Sequence, residues 1–314
     1  MVNGLTGIAN VGNTCYLNSV IQILSHTPNL HEILNVSFKN DYTKETIFRK
    51  EWCDLRNILW CDRPGIVVPN RFISHLHHIS QHRSNTLFSG FQQNDVHEFL
   101  IFILETFHLS LSRKIKHNIS NENDTIYNNY KDSYSDIISL FYGVNVSYIR
   151  DMKGSILSKV SEPFSTISIP VGTNPSNIYA AIGAYCTPTT LSGDNSYLHP
   201  KTNKKVVVTK QTVIESPPNI LVVHINRWDY NGGKIETMID SDTTLDLSGT
   251  IIGNPIYKLY GICNHTGNQH GGHYTSNIRK GDEWFNFNDT NITPIKTDDV
   301  VTKDAYCFFY YMIK

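Results

Sequence analysis

The segment GNTCYLNSVIQIL, Gly12 to Leu24, sets a cysteine directly ahead of an apolar helical pattern. The nucleophilic form of cysteine is the thiolate, and a helix N-terminus favours it through unpaired N–H groups and the positive end of the helix dipole. Cys15 is therefore a candidate nucleophile. The competing reading is a small core residue, because free cysteine is among the most buried residue types. A nucleophilic thiol also needs a base. Of 14 histidines, His273 in HGGHYTSNI has the most suitable setting: Gly271 and Gly272 allow a tight turn and close backbone approach, and the strand pattern that follows offers the ring a rigid support. His270 precedes the glycines, on the turn. A base acts best when a third group fixes its tautomer. EWFNFNDTNITP ends a strand in Asn288-Asp289, so one of these two can face the imidazole; the alternative is ordinary turn chemistry. An oxyanion would need donors, and the Cys15 N–H with the side-chain amide of Asn10 or Asn13 can supply them.

Two kinds of element must position these groups. From Cys15, Leu17, Val20, Ile21 and Leu24 fall on one helix face, with Asn13 or Thr14 as N-cap and Pro28 as the stop. EFLIFILETFHL, residues 98–109, is a second helix, apolar nearly all round and so deeply buried. Residues 113–135 are polar and Asn-rich and read as a surface loop. Short β-branched and aromatic runs follow: GVNVSYI, EPFSTISIPV, KVVVTKQTVI, NILVVHIN, KLYGICN, HYTSNI and EWFNFND. Residues 186–204 read as a second loop. Helices first and strands after, without a βαβ rhythm, make the fold class α+β, a helical lobe on a mainly antiparallel sheet.

Composition narrows the function. With 314 residues, 40 % hydrophobic and 18 % charged, the chain can build a core without disulfides or metal. A formal net charge of -1 and no basic patch argue against a nucleic-acid partner. No apolar run approaches the roughly 18 residues of a membrane span, and the N-terminus lacks a secretory pattern, so an intracellular, reducing location in cytoplasm or nucleus is expected. The six cysteines contain no Cys-x-x-Cys pair.

Taken together, these segments resemble the ubiquitin-specific protease family of cysteine deubiquitinases. GIANVGNTCYLNSVIQ is similar to its cysteine box, and YKLYGICNHTGNQHGGHYTSNI followed by EWFNFNDTNITP to its histidine box. FQQNDVHEFL (91–100), EPFSTISIPV and NILVVHINRW match three further signatures in the family's order, with Trp228 where the family has Phe. The resemblance implies one papain-like catalytic domain over 1–314: a helical thumb (1–112), a surface loop (113–135), β fingers with adjoining palm strands (136–215), and a palm carrying the histidine box (216–314). It implies Cys15 as nucleophile, His273 as general base, Asn288 as the third member, Asp289 as support and Asn10 in the oxyanion hole. Gln93, Asp95 and Glu98 match the box that binds the ubiquitin tail, with Asp95 the favoured partner for a tail arginine. Tyr274 would roof the terminal glycines, and Gly271 and Gly272 with the 264–269 segment would form a blocking loop. The implied partners are ubiquitin and ubiquitinated proteins, met by a monomer without cofactor. Asp151 and Lys153 stand where many members carry zinc cysteines, and Cys186 has no partner for a second pair, so no metal is expected. A protease for a ubiquitin-like modifier and a catalytically silent ubiquitin-binding module are the alternatives.

Overall fold

The computed structural model describes residues 3–38, 42–62, 65–116, 124–171, 177–268 and 271–314. The N-terminal part holds strand β1 (Gly7–Ile8), helices α1 (Cys15–His26), α2 (Leu30–Leu34) and α3 (Lys44–Leu59), strand β2 (Ile66–Val67), and helices α4 (Asn70–His82), α5 (Val96–Leu111), α6 (Thr125–Tyr130) and α7 (Asp136–Phe141). Next come β3 (Gly143–Asp151), β4 (Ile156–Phe164), β5 (Ile167–Pro170), helix α8 (Ile178–Cys186), β6 (Thr189–Leu191), β7 (Tyr197–His199), β8 (Lys204–Val206) and β9 (Val208–Ser216). The last part is β10 (Ile220–Asn226), β11 (Thr244–Asp246), β12 (Ile256–Asn268), β13 (Gly271–Lys280), β14 (Glu283–Asn288), β15 (Asn291–Ile295) and β16 (Ala305–Met312).

The main sheet runs β15-β14-β13-β12-β16-β10-β5, with β11 added beside β12; β5 joins β10 in parallel and the other pairings are antiparallel. Both faces of its centre are covered, which is why NILVVHIN reads as an unbroken apolar run. Ile220 and Val222 point into the core shared with the helical lobe, while Leu221, Val223 and Ile225 point into a second core with Ile178, Ala181 and Ile182 of α8. A separate four-stranded sheet, β4-β3-β9-β6, and the hairpin β7–β8 extend from this body. At its β3–β4 turn, Asp151 accepts hydrogen bonds from the N–H groups of Lys153 and Ser155 at 2.9 and 2.8 Å.

Helix α1 lies between α5 and the sheet and is buried on every side, not on one face only. Its polar residues are therefore satisfied internally where the core allows: Gln22 donates to the Thr6 carbonyl at 2.8 Å and Ser25 to that of Gln22 at 2.9 Å. Helix α5 begins two residues earlier than the apolar pattern suggests because Asp95 caps it, accepting from the N–H groups of His97 and Glu98. Phe99, Ile103 and Phe107 are fully buried, but Ile101, Glu105 and Leu109, four residues apart, form an exposed stripe, so the helix is covered on part of its circumference.

Three sequence expectations change. Within 113–135 the chain forms α6, capped by Asp124, and Arg113 bridges to Tyr134, so the described part of this segment is not simply a loop. Residues 186–204 contain β6 and β7, and α8 interrupts the strand region; short elements of this kind are specified by what they pack against rather than by a long period. Residues 264–268 form the end of β12, paired with β13 from Gly271 onward, so the expected 264–269 loop is instead a long hairpin arm whose residue 269 lies outside the described residues.

Phe99 joins α5 to α1, stacking edge-on against Tyr16 at 5.4 Å beside Cys15. Phe99→Ala should lower the unfolding free energy by about 3–5 kcal/mol in urea denaturation, as for other buried Phe truncations; a loss below about 1 kcal/mol would contradict this packing.

Candidate active site

Cys15 is the first residue of α1 and is 4 % exposed. The loop before it is wound around the carboxamide of Asn10, whose Oδ1 accepts from the N–H of Gly12 at 3.2 Å, the N–H of Thr14 at 3.1 Å and the Thr14 hydroxyl at 3.3 Å. Gly12 and Asn13 take φ values of 109° and 56°, the left-handed region that glycine and asparagine tolerate best. Thr14 occupies the N-cap position, but its hydroxyl accepts from the Val11 N–H at 3.1 Å and makes no cap bond. The Asn13 amide is turned away, donating to the Phe91 carbonyl at 3.0 Å. Of the two candidate amides, Asn10 is thus the one that faces the site.

That amide donates to Asp289 Oδ2 at 3.0 Å, and Asn18, one helical turn after Cys15, donates to Asp289 Oδ1 at 2.7 Å. The Ile8 N–H donates to the Asp289 carbonyl at 3.0 Å. Asp289 itself has φ 50°, as the first residue of the two-residue turn between β14 and β15, a position that favours the left-handed region Asp tolerates. Gly7 explains the start of the motif: a Cβ there would lie 2.5 Å from the Thr290 carbonyl oxygen.

His273 sits on β13 and Asn288 ends β14. The His273 Nε2 lies 2.7 Å from Asn288 Oδ1. A carboxamide oxygen only accepts, so Nε2 carries the proton and Nδ1 is left with its lone pair. The next residue, Tyr274, directs its backbone N–H at the Cys15 sulfur, as do the N–H groups of Tyr16 and Cys15. Cys15 and His273 thus lie on adjoining elements, α1 and β13. Burial pushes the Cys15 thiol above its ordinary value, and the Asp289 charge adds to this against the three amides. This corrects the expectation from the helix start: burial outweighs it, and the resting group is a thiol.

A cavity of about 260 Å³ opens beside the hairpin, lined in part by Gln93, Asp95, Trp228, His265, Gly272 and Tyr274. Gln93 accepts from the Gly272 N–H at 3.0 Å and donates to its carbonyl at 3.4 Å, tying the start of α5 to the hairpin. A Cβ at Gly272 would collide with the His265 ring and lie 2.5 Å from the Thr266 carbonyl oxygen; one at Gly271 would lie 3.2 Å from Gln93 Oε1. Tyr274 is nearly buried, and its hydroxyl reaches Asp95 Oδ2 at 3.5 Å, where the Tyr306 hydroxyl also donates at 2.7 Å. With two helix N–H groups on Oδ1 and two phenols on Oδ2, Asp95 has no acceptor position to spare. The Glu98 carboxylate stays exposed, held above the usual carboxylate range by partial burial and by Asp95.

Asn18, His265 and Tyr306 were not singled out by the sequence, nor was Trp228 as part of a cavity wall. Asn18 carried a signal: it is a polar residue on the buried face that holds Cys15. His265 and Tyr306 lie on β12 and β16 and Trp228 just beyond the end of β10, far apart in sequence, and only the fold makes them neighbours. His224 and His265, packed against Tyr306 and its neighbours, are each pushed down to about 4 by burial.

The family model "Ubiquitin carboxyl-terminal hydrolase" matches residues 6–310. Among curated relatives, ubiquitin carboxyl-terminal hydrolase 21 of Homo sapiens is 26 % identical over 362 residues, covering 99 % of this chain and 62 % of that protein. Ubiquitin carboxyl-terminal hydrolase 2 of Homo sapiens is 28 % identical over 337 residues, covering 98 % and 55 %. The chain therefore spans about three fifths of the length of these relatives. Among solved structures, the Ubp8/Sgf11/Sus1/Sgf73 module bound to ubiquitin aldehyde aligns with a TM-score of 0.79 at 23 % identity, over 99 % of this chain and 70 % of that one, which is a likeness of fold.

Two outcomes follow from the charges. The Cys15 alkylation rate with iodoacetamide should rise with pH to a midpoint above that of free cysteine measured alongside; a midpoint below it would contradict a buried resting thiol. His224 and His265 are neutral when folded, whereas unfolded imidazoles titrate near 6.5. Between about pH 6.5 and 4 the unfolded chain binds more protons, so stability falls as pH drops through that window. Urea midpoints should decline there, less steeply in His224→Asn; an unchanged slope in that variant would contradict the assignment.

Proposed function

The chain belongs to the ubiquitin carboxyl-terminal hydrolase family, and from that premise we propose that it is a thiol-dependent deubiquitinase, cleaving the isopeptide or peptide bond after the C-terminal glycine of ubiquitin. The observation that carries this reading is the His273–Asn288 pair at 2.7 Å, set on the strand whose next N–H faces the Cys15 sulfur. His273 Nδ1 takes the thiol proton as the sulfur attacks the glycine carbonyl. Asn288 holds the ring in the tautomer that leaves Nδ1 basic and stabilises the imidazolium that forms.

The oxyanion lies between the Cys15 N–H and the second hydrogen of the Asn10 amide, whose first is committed to Asp289. His273 then protonates the leaving lysine amine. A thioester remains, and a water deprotonated by His273 hydrolyses it. Asp289 is a positioning group: it orients Asn10 and takes no proton. The substrate tail enters between Gln93, Gly271, Gly272 and Tyr274, where a narrow passage favours residues without a Cβ. Asp95 shapes the wall of that passage, and Glu98 is the carboxylate exposed to pair with a tail arginine, by a charge-assisted bond. One copy of the chain supplies all of these groups, which supports action as a monomer, and a reducing intracellular compartment suits a catalytic thiol.

Cys15→Ala should abolish covalent labelling by a ubiquitin C-terminal electrophile. Asn288→Ala should lower kcat by about 100-fold or more on a fluorogenic ubiquitin substrate, through loss of tautomer control. Labelling that persists in Cys15→Ala overturns the assignment. Faster labelling by a ubiquitin-like probe than by ubiquitin would instead favour a ubiquitin-like modifier as substrate.

A further inference from the structure

We propose that Trp228 is a positioning residue for the substrate channel: through Tyr306 it holds the Asp95 carboxylate on which the channel wall is built, and so governs substrate binding rather than the chemical step. The inference rests on the reading that this channel takes the ubiquitin tail. Trp228 borders the cavity, and its indole Nε1 donates to the Tyr306 hydroxyl at 3.3 Å. The Tyr306 hydroxyl donates to Asp95 Oδ2 at 2.7 Å, the same oxygen that the Tyr274 hydroxyl reaches.

The direction of this relay is forced. An indole N–H only donates and an ionised carboxylate only accepts, so the phenol between them must accept from Trp228 and donate to Asp95. Both ends are rigidly mounted. Arg227, fully buried beside Trp228, donates to the carbonyls of Ala305, Ile235 and Thr237 at 2.8, 2.9 and 2.8 Å, which pins Trp228 against the strand that carries Tyr306. A second path runs through rings: Trp228 meets His265 edge-on at 5.8 Å, and His265 meets Tyr274 at 4.6 Å. Trp228 is thus linked both to the carboxylate at the head of α5 and to the tyrosine that follows His273. A phenylalanine at this position keeps the ring packing but has no N–H to start the relay.

The test is a steady-state cycle on a fluorogenic ubiquitin substrate with Trp228→Phe, Tyr306→Phe and the double variant. Trp228→Phe should raise KM about fivefold, the ordinary net worth of one neutral hydrogen bond, and Tyr306→Phe, which also removes the bond to the carboxylate, should raise it by more, each with kcat within about twofold of the parent. The double variant should show no rise beyond that of Tyr306→Phe, because both changes break one relay. An unchanged KM in Trp228→Phe, a loss confined to kcat, or multiplying KM effects in the double variant would each overturn the proposal. Hydrogen exchange of the Trp228 indole N–H, followed by NMR and assigned by its disappearance in Trp228→Phe, gives a readout independent of ubiquitin. It should be slow in the parent and faster in Tyr306→Phe; exchange at the rate of free indole overturns the relay. A parent protein that turns over no ubiquitin substrate would count against the function reading instead, with the exchange measurement still deciding the relay.

Discussion

The contact on which the site depends is the Asp289 carboxylate lodged between Asn10 and Asn18. It joins positions 279 and 271 residues apart in the chain and couples the loop before Cys15, the helix that starts at Cys15 and the strand end that carries Asn288. No backbone ladder does this. The Ile8–Asp289 hydrogen bond adds a single main-chain link, and the left-handed backbone of Asp289 belongs to the turn between β14 and β15. Because a carboxylate accepts on both oxygens, a single side chain binds both asparagines at once. An amide or hydroxyl at this position would satisfy fewer donors, and the buried Asn18 amide would lose its strongest partner.

Anchoring Cys15 this way has a consequence for reactivity. The helix is buried on all sides so that it can be held against the sheet, and the same burial keeps the thiol protonated despite three N–H groups aimed at the sulfur. The His273 ring is held by its bond to Asn288, which fixes its tautomer. Position and reactivity compete here, and position has been favoured.

The cavity beside the hairpin follows a related logic. Asp95, in the wall of the cavity beside the hairpin, is engaged as a helix cap and as the acceptor for two phenols. The hairpin opposite is kept close by Gln93 bonding to both sides of the Gly272 peptide, and glycine is required there because any Cβ would strike the strand beside it.

Much was legible from local pattern. The helix beginning at Cys15, the buried strands of the centre of the sheet and the α+β class follow from periodicities that neighbouring residues repeat many times. The meeting of Asn10 with Asp289 and of His273 with Asn288 was reached through motifs, whose residue types and spacing are short-range. Helix α8 and the short strands of 186–204 were not legible, because few residues carry each signal and packing decides them. Nor could sequence say that Thr14 would decline its cap, that Asp95 would have no free acceptor, or that burial would outweigh the helix start at Cys15. Those outcomes depend on how much water is excluded and on which donors arrive from residues hundreds of positions away. Residue order determined which chemical groups exist and which local elements carry them; only the closed tertiary structure decided their partners and their protonation, since both are set by distances and desolvation that no stretch of chain contains by itself.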